Sequence, residues 1–245
     1  MDVDAAFYFD LANPAAYLVA ERILHELPGP VEWRPVLARG LGGEPARETR
    51  SSIEHQASEL GLQPVRWPEP FPFDSERAML AATYAKSIGR AVPFAQAAFR
   101  QAFAGGRDLG ELDSILIAAA ACEMHPQAVL RGVELRSVRE QLAAATRAAA
   151  AAGVRAVPAV RIGEQVLGGP RMLADARRAL QVSVELGDQK NAKSNPRDRA
   201  DGHDDPRDRA DQKMDFSHRP CAPPRESHGS ADREHAPCGR TAPTA

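Results

Sequence analysis

The apolar positions of this chain alternate between strand-like and helical patterns. Ala6–Leu11 is a short, continuous apolar run carrying Phe7, Tyr8 and Phe9, and it reads as a buried strand. Asn13-Pro14 follows, with Asn13 suited to cap a helix and Pro14 to occupy its first position. Tyr17, Ala20, Leu24 and Leu27 then recur at helical spacing and predict one inward face, closed by Pro28-Gly29-Pro30. Val31–Leu37 reads as a second strand. A right-handed crossover places it parallel to the first.

Residues 38–152 contain little that reads as strand. Ser51–Gly61 predicts a helix closed by glycine, and Asp74-Ser75 starts another. Pro93–Phe103 repeats aromatics at Phe94, Phe99 and Phe103. Leu112–Met124 is strongly apolar and stops at His125-Pro126. Ser137-x-x-Glu140 has the form of a capping box, with Val138, Leu142, Ala145 and Ala149 as the stripe behind it. The strand pattern returns at Ala159–Ile162 and Gln165–Leu167, joined by Gly163-Glu164 as a two-residue hairpin. Gly169-Pro170 opens a last helix with Met172, Leu173, Ala176 and Leu180 inward.

From about Gly187 apolar residues become scarce. Asn195-Pro-Arg-Asp-Arg-Ala-Asp201 is nearly repeated as Asp205-Pro-Arg-Asp-Arg-Ala-Asp211. Such a stretch cannot bury enough surface to offset its conformational entropy, so residues 188–245 are expected to be disordered.

Composition narrows the function classes. A net charge of −2 gives no reason to expect nucleic acid or an anionic membrane as a partner. No apolar run approaches the roughly 20 residues that span a bilayer. The start, Met1-Asp2-Val3-Asp4, lacks the basic segment of a secretory signal, so a cytoplasmic location is expected. The three cysteines, Cys122, Cys221 and Cys238, form no C-x-x-C pair and fit no zinc spacing, so no metal is expected. Cys122 reads as a small core residue.

Two fragments carry a resemblance. They are Phe7-Tyr-Phe-Asp-Leu-Ala-Asn-Pro-Ala-Ala-Tyr-Leu18 and Gly153-Val-Arg-Ala-Val-Pro-Ala-Val160. Together they resemble the thioredoxin-like fold of the DsbA family, in the branch of 2-hydroxychromene-2-carboxylate isomerase and the kappa-class glutathione transferases. The resemblance covers roughly residues 5–182. It implies an α/β thioredoxin-like frame, βαβ…ββα, with a large all-helical insertion and a disordered C-terminal tail. The expected domain is 1–187, with the frame in 1–40 and 153–187, the insertion in about 41–152, and an Arg/Asp/Pro-rich tail in 188–245.

The resemblance also implies a site. The family's reactive Cys or Ser stands where this chain has Asn13. Asn13 is either an ordinary helix cap, or a cap that also contacts a bound sulfur; it can donate an N–H but cannot exchange a proton near neutral pH. Asp10, at the strand end, reads as a solvated carboxylate or as a partner to this turn. Val157-Pro158 matches the family's cis-proline loop, which meets the ligand's cysteinyl unit. Arg171, which reads as a carboxylate contact or as a helix-surface arginine, follows Pro170, which replaces the acid that the family uses for the glutamyl end of glutathione. Trp67, in Arg66-Trp67-Pro68, resembles a segment lining the family's substrate cleft, or is a Trp packed under a loop. The implied thiol- or substrate-binding set is thus Pro14, Trp67, Val157, Pro158 and Arg171, around Asn13.

The implied function is a thiol-dependent isomerase or transferase. Its cofactor is glutathione or another low-molecular-weight thiol, and its substrate a small organic acid. The alternative is a non-catalytic ligand- or peptide-binding relative that has lost the reactive Ser or Cys. A disulfide oxidoreductase survives by family label alone. A homodimer is left open.

Overall fold

The computed structural model describes residues 4–44 and 48–193. Four strands, Ala5–Phe9 (β1), Glu32–Pro35 (β2), Ala159–Ile162 (β3) and Gln165–Gly168 (β4), form one sheet in the order β2-β1-β3-β4. β1 pairs parallel with β2 and antiparallel with β3, and β3 pairs antiparallel with β4. The hairpin turns at Gly163, whose φ of +56° suits glycine. The strands therefore fall where the period-two and apolar runs put them.

The helices are Pro14–Ala20 (α1), Ile23–Glu26 (α2), Arg50–Glu59 (α3), Glu76–Ser87 (α4), Ala91–Phe103 (α5), Leu112–Ala120 (α6), Pro126–Glu134 (α7), Arg136–Ala151 (α8) and Met172–Lys193 (α9). Every described element between β2 and β3 is helical. The chain is a thioredoxin-like fold with a helical insertion, as expected.

β1 is buried along its whole length because both faces are covered. Phe7 and Phe9 point into the larger core, where Trp33 stands edge-on to Phe7 at 5.1 Å and Phe99 of α5 lies 5.8 Å from Phe9. Ala6 and Tyr8 face a smaller core with Val157, Ala159 and Ala149 of α8. On α9, Met172, Leu173, Ala176 and Leu180 are buried as expected.

Four local expectations change. The first helix does not run to Leu27. It ends at Ala20, whose carbonyl receives Gln96 Nε2 at 3.3 Å, while Arg100 grips Glu21 through two bonds of 2.7 Å. The break shifts the helical phase by one residue, so Ile23 is buried and Leu24 is 49% exposed. Ser137 and Glu140 do not form a capping box. Leu135 ends α7 and starts α8 at once, which places Ser137 inside the first turn, and Glu140 pairs back to Arg136 at 2.7 Å. The run to Met124 stops as helix at Ala120, with Glu123 in a left-handed conformation (φ 60°) before His125 caps α7. At the far end, α9 continues past 187 to Lys193. The rest of the expected tail, with Cys221 and Cys238, lies outside the described residues.

Thr146 ties the insertion to the sheet. Its Oγ1 donates to Leu142 O at 2.9 Å and accepts from Leu37 N at 3.0 Å, just past the end of β2. Its methyl lies against Gly40, where a Cβ would come within 2.6 Å. Thr146→Val keeps the shape and leaves the Leu37 N–H without its partner. The expected loss is about 1–3 kcal/mol of unfolding free energy. Urea denaturation checks this; a loss below about 0.5 kcal/mol would show that the N–H is solvated instead.

Candidate functional site at the start of the first helix

The chain leaves β1 through Asp10 and enters α1 at Pro14. Asp10 is 4% exposed. Its Oδ1 accepts from Ala12 N at 3.0 Å and its Oδ2 from Ala38 N at 2.9 Å. It is therefore not a solvated strand-end carboxylate. A buried carboxylate is tolerable only when charge-assisted hydrogen bonds replace its water. Here two backbone N–H groups do so, and they lock the turn to the segment after β2.

Asn13 uses both ends of its side-chain amide. Its Oδ1 accepts from Ala16 N at 2.9 Å, which caps α1. Its Nδ2 donates to Val157 O at 3.0 Å. The orientation is forced, because only the oxygen can meet an N–H and only the nitrogen can meet a carbonyl. One Nδ2 proton remains uncommitted by these bonds. The Val157–Pro158 peptide is cis. The structure thus brings Asn13, Pro14, Val157 and Pro158 together.

Beside them runs a cleft of about 270 Å³. Ala15, Leu18 and Val19 of α1 form one wall, and Val157, Pro158, Val166 and Leu167 the other. Gly168, Gly169 and Pro170 close one side. Arg22, Glu48, Gln56 and Arg155 supply its polar groups. Burial against the cleft wall pushes the Glu48 carboxyl above its usual range, although the residue as a whole is exposed. Its size is near the lower end of the ~300–1,000 Å³ usual for small-molecule sites. A larger cleft of about 490 Å³ between α4, α6, α7 and α8 contains none of the expected site residues.

Of the six expected residues only Val157 and Pro158 line this cleft; Asn13 and Pro14 adjoin it without lining it, and Trp67 and Arg171 stand apart. Trp67 packs 5.0 Å from Phe71 and 6.1 Å from Phe103, under Arg50, and its Nε1 donates to Glu54 at 2.6 Å. Arg171 is exposed just before α9, and its neighbour Pro170 reaches the cleft instead. Glu48, Gln56, Arg22 and Arg155 carried no periodic signal, because they come from four separate segments. Only Arg155 lay within a fragment that the sequence singled out. Cys122 is buried, donates to Ala118 O at 2.9 Å, and has its thiol pKa raised chiefly by burial.

These features agree with the match of residues 6–182 to the DSBA-like thioredoxin domain. The chain belongs to that family. Its fold is similar to that of 2-hydroxychromene-2-carboxylate isomerase (18% identity, TM-score 0.61, 77% of this chain and 98% of that one). It is also similar to the cytosolic disulfide reductase DsbM of Pseudomonas aeruginosa, solved with GSH (16% identity, TM-score 0.55, 75% of this chain and 100% of that one). At such identities the likeness establishes the fold. No curated protein matches the chain. Among the described residues no helix is long and apolar enough to cross a membrane, and no cluster of His, Cys, Asp and Glu could hold a metal ion.

Asp10→Asn tests the turn of this DSBA-like domain. An amide NH₂ would then oppose one of the two backbone N–H donors. The expected cost is about 1–3 kcal/mol, seen as a lowered melting temperature. An unchanged melting temperature would show that the two bonds contribute nothing net.

Proposed function

We propose that this DSBA-like domain binds a low-molecular-weight thiol of the glutathione type in the 270 Å³ cleft and works as a thiol-dependent isomerase or transferase on a small organic acid. The observation that supports it is the bond from Asn13 to Val157, which sets a donor-bearing amide beside a cleft lined by both apolar and charged residues. Bound there, a thiol supplies a nucleophile that adds to an electron-poor carbon and later leaves. The chain's own part is to hold and orient. Leu18, Val19, Val166 and Leu167 exclude water from the cleft floor, and the remaining Nδ2 proton of Asn13 is the donor offered to sulfur. The segment Leu11–Ala16 has no titratable side chain, so this turn itself supplies no proton.

A second reading is a binding protein without turnover. The full commitment of the Asn13 Oδ1 and one Nδ2 proton to the chain itself favours it. Dithiol exchange has no chemical basis at this turn, since Asn13-Pro14-Ala15-Ala16 holds no cysteine and Cys122 is buried. We therefore expect no insulin reduction by the purified protein. Turnover abolished by Cys122→Ser would contradict this.

Calorimetric titration with glutathione, cysteine and related thiols tests the main reading. Saturable binding supports it, and failure of every thiol to bind overturns it. Asn13→Ala removes the cap and the Val157 bond together, so it should cost about 2–3 kcal/mol of stability. If Asn13 also meets sulfur, thiol affinity should fall about 5- to 30-fold in the same variant. Asn13→Ser retains the cap and should lose only about 1 kcal/mol. A destabilised Asn13→Ala protein with unchanged thiol affinity would leave Asn13 a structural residue alone.

A further inference from the structure

Two of the four polar residues at the cleft already have partners. Arg22 pairs with Glu26 at 2.6 Å, and Gln56 Nε2 donates to Ser52 Oγ at 3.1 Å. Glu48 and Arg155 have none among the described residues. Two unanswered charges of opposite sign therefore border one small, apolar-floored cleft. Arg155 is held in place by its backbone: a Cβ at Gly43 would come within 2.2 Å of Arg155 O and 2.8 Å of its carbonyl carbon. The backbone at Gly43 thus packs directly on the segment that carries Arg155.

We infer that the cleft selects zwitterionic thiols, with Glu48 receiving the ligand's ammonium group and Arg155 its carboxylate. This rests on the proposed thiol-binding reading and names the chemistry that the ligand must carry besides sulfur. A neutral thiol satisfies neither charge. A net-anionic thiol without an ammonium group meets Glu48 with repulsion. A thiol built on an amino acid or short peptide places both charges and offers its short aliphatic stretch to Leu18, Val19 and Leu167. No part of this pairing depends on position 170, where proline offers neither charge nor an N–H.

The test is calorimetry on the full chain with four probes: glutathione (both charges), N-acetylcysteine (carboxylate only), cysteamine (ammonium only) and 2-mercaptoethanol (neither). The wild type should prefer glutathione to 2-mercaptoethanol by at least about tenfold. Partly exposed ion pairs are each worth up to about a fivefold change, and slightly more when partly desolvated. Glu48→Gln should thus weaken glutathione and cysteamine about 3- to 10-fold and leave N-acetylcysteine unchanged or improved. Arg155→Gln should weaken glutathione and N-acetylcysteine and spare cysteamine, and Arg155→Lys should keep most of the affinity. Both residues are exposed, so melting temperatures should hold. Equal affinity for all four probes, or variants that weaken every probe alike, would overturn the zwitterion assignment and leave thiol binding standing. A wild type that binds none of them would overturn both.

Discussion

The Asn13 side-chain amide joins two stretches of chain 144 residues apart, and the candidate site exists because of it. One end closes the first turn of α1, and the other holds the carbonyl of the residue before Pro158. A single serine or cysteine at this position could cap the helix but has only one side-chain heteroatom. Both roles would then fall on one atom nearer the backbone, whereas the Asn13 amide places acceptor and donor on separate atoms. The Asn13 amide is therefore a bridge between the two halves of the frame.

Asp10 and Thr146 extend the same logic to the other side of the turn. Each uses buried or half-buried oxygens to hold backbone N–H groups at the end of β2, through Ala38 and Leu37. The numerous surface ion pairs, such as Arg136 with Glu140, are worth roughly 0–1 kcal/mol each. The few polar contacts in the interior cost about 1–3 kcal/mol if one partner is left unmade. The interior contacts thus decide where the insertion sits on the sheet, while apolar burial of Phe7, Phe9, Trp33 and Phe99 supplies most of the driving force.

Chemically, the site is better equipped to hold than to react. The helix-start turn has no thiol, hydroxyl or titratable group. The charges that line the cleft are Glu48, Arg155 and Arg22, the last already paired with Glu26. In the proposed reading the reacting atom belongs to a bound molecule, and orientation and selection to the protein. Trp67 belongs to a separate aromatic group with Phe71 and Phe103, which packs toward α1 through the stacking of Phe103 on Tyr17 at 5.7 Å.

The strands, the helical insertion, the hairpin at Gly163 and the placement of the Val157-Pro158 loop against the turn at Asn13 were legible in the sequence. They depend on local periodicity, on turn residues and on two fragments whose resemblance to a family fixes their spacing. The break after Ala20 was not legible, because it depends on Gln96 and Arg100 reaching from α5. Asp10 looked solvated for the same reason: its second oxygen is satisfied by Ala38, far along the chain. Asn13 alone could be read as a cap or as a ligand contact. Only the folded chain shows its nitrogen on Val157, and only there do Glu48 and Arg155 meet one cleft. Local propensity sets what each segment becomes, but polar groups are satisfied by partners that only tertiary packing brings near.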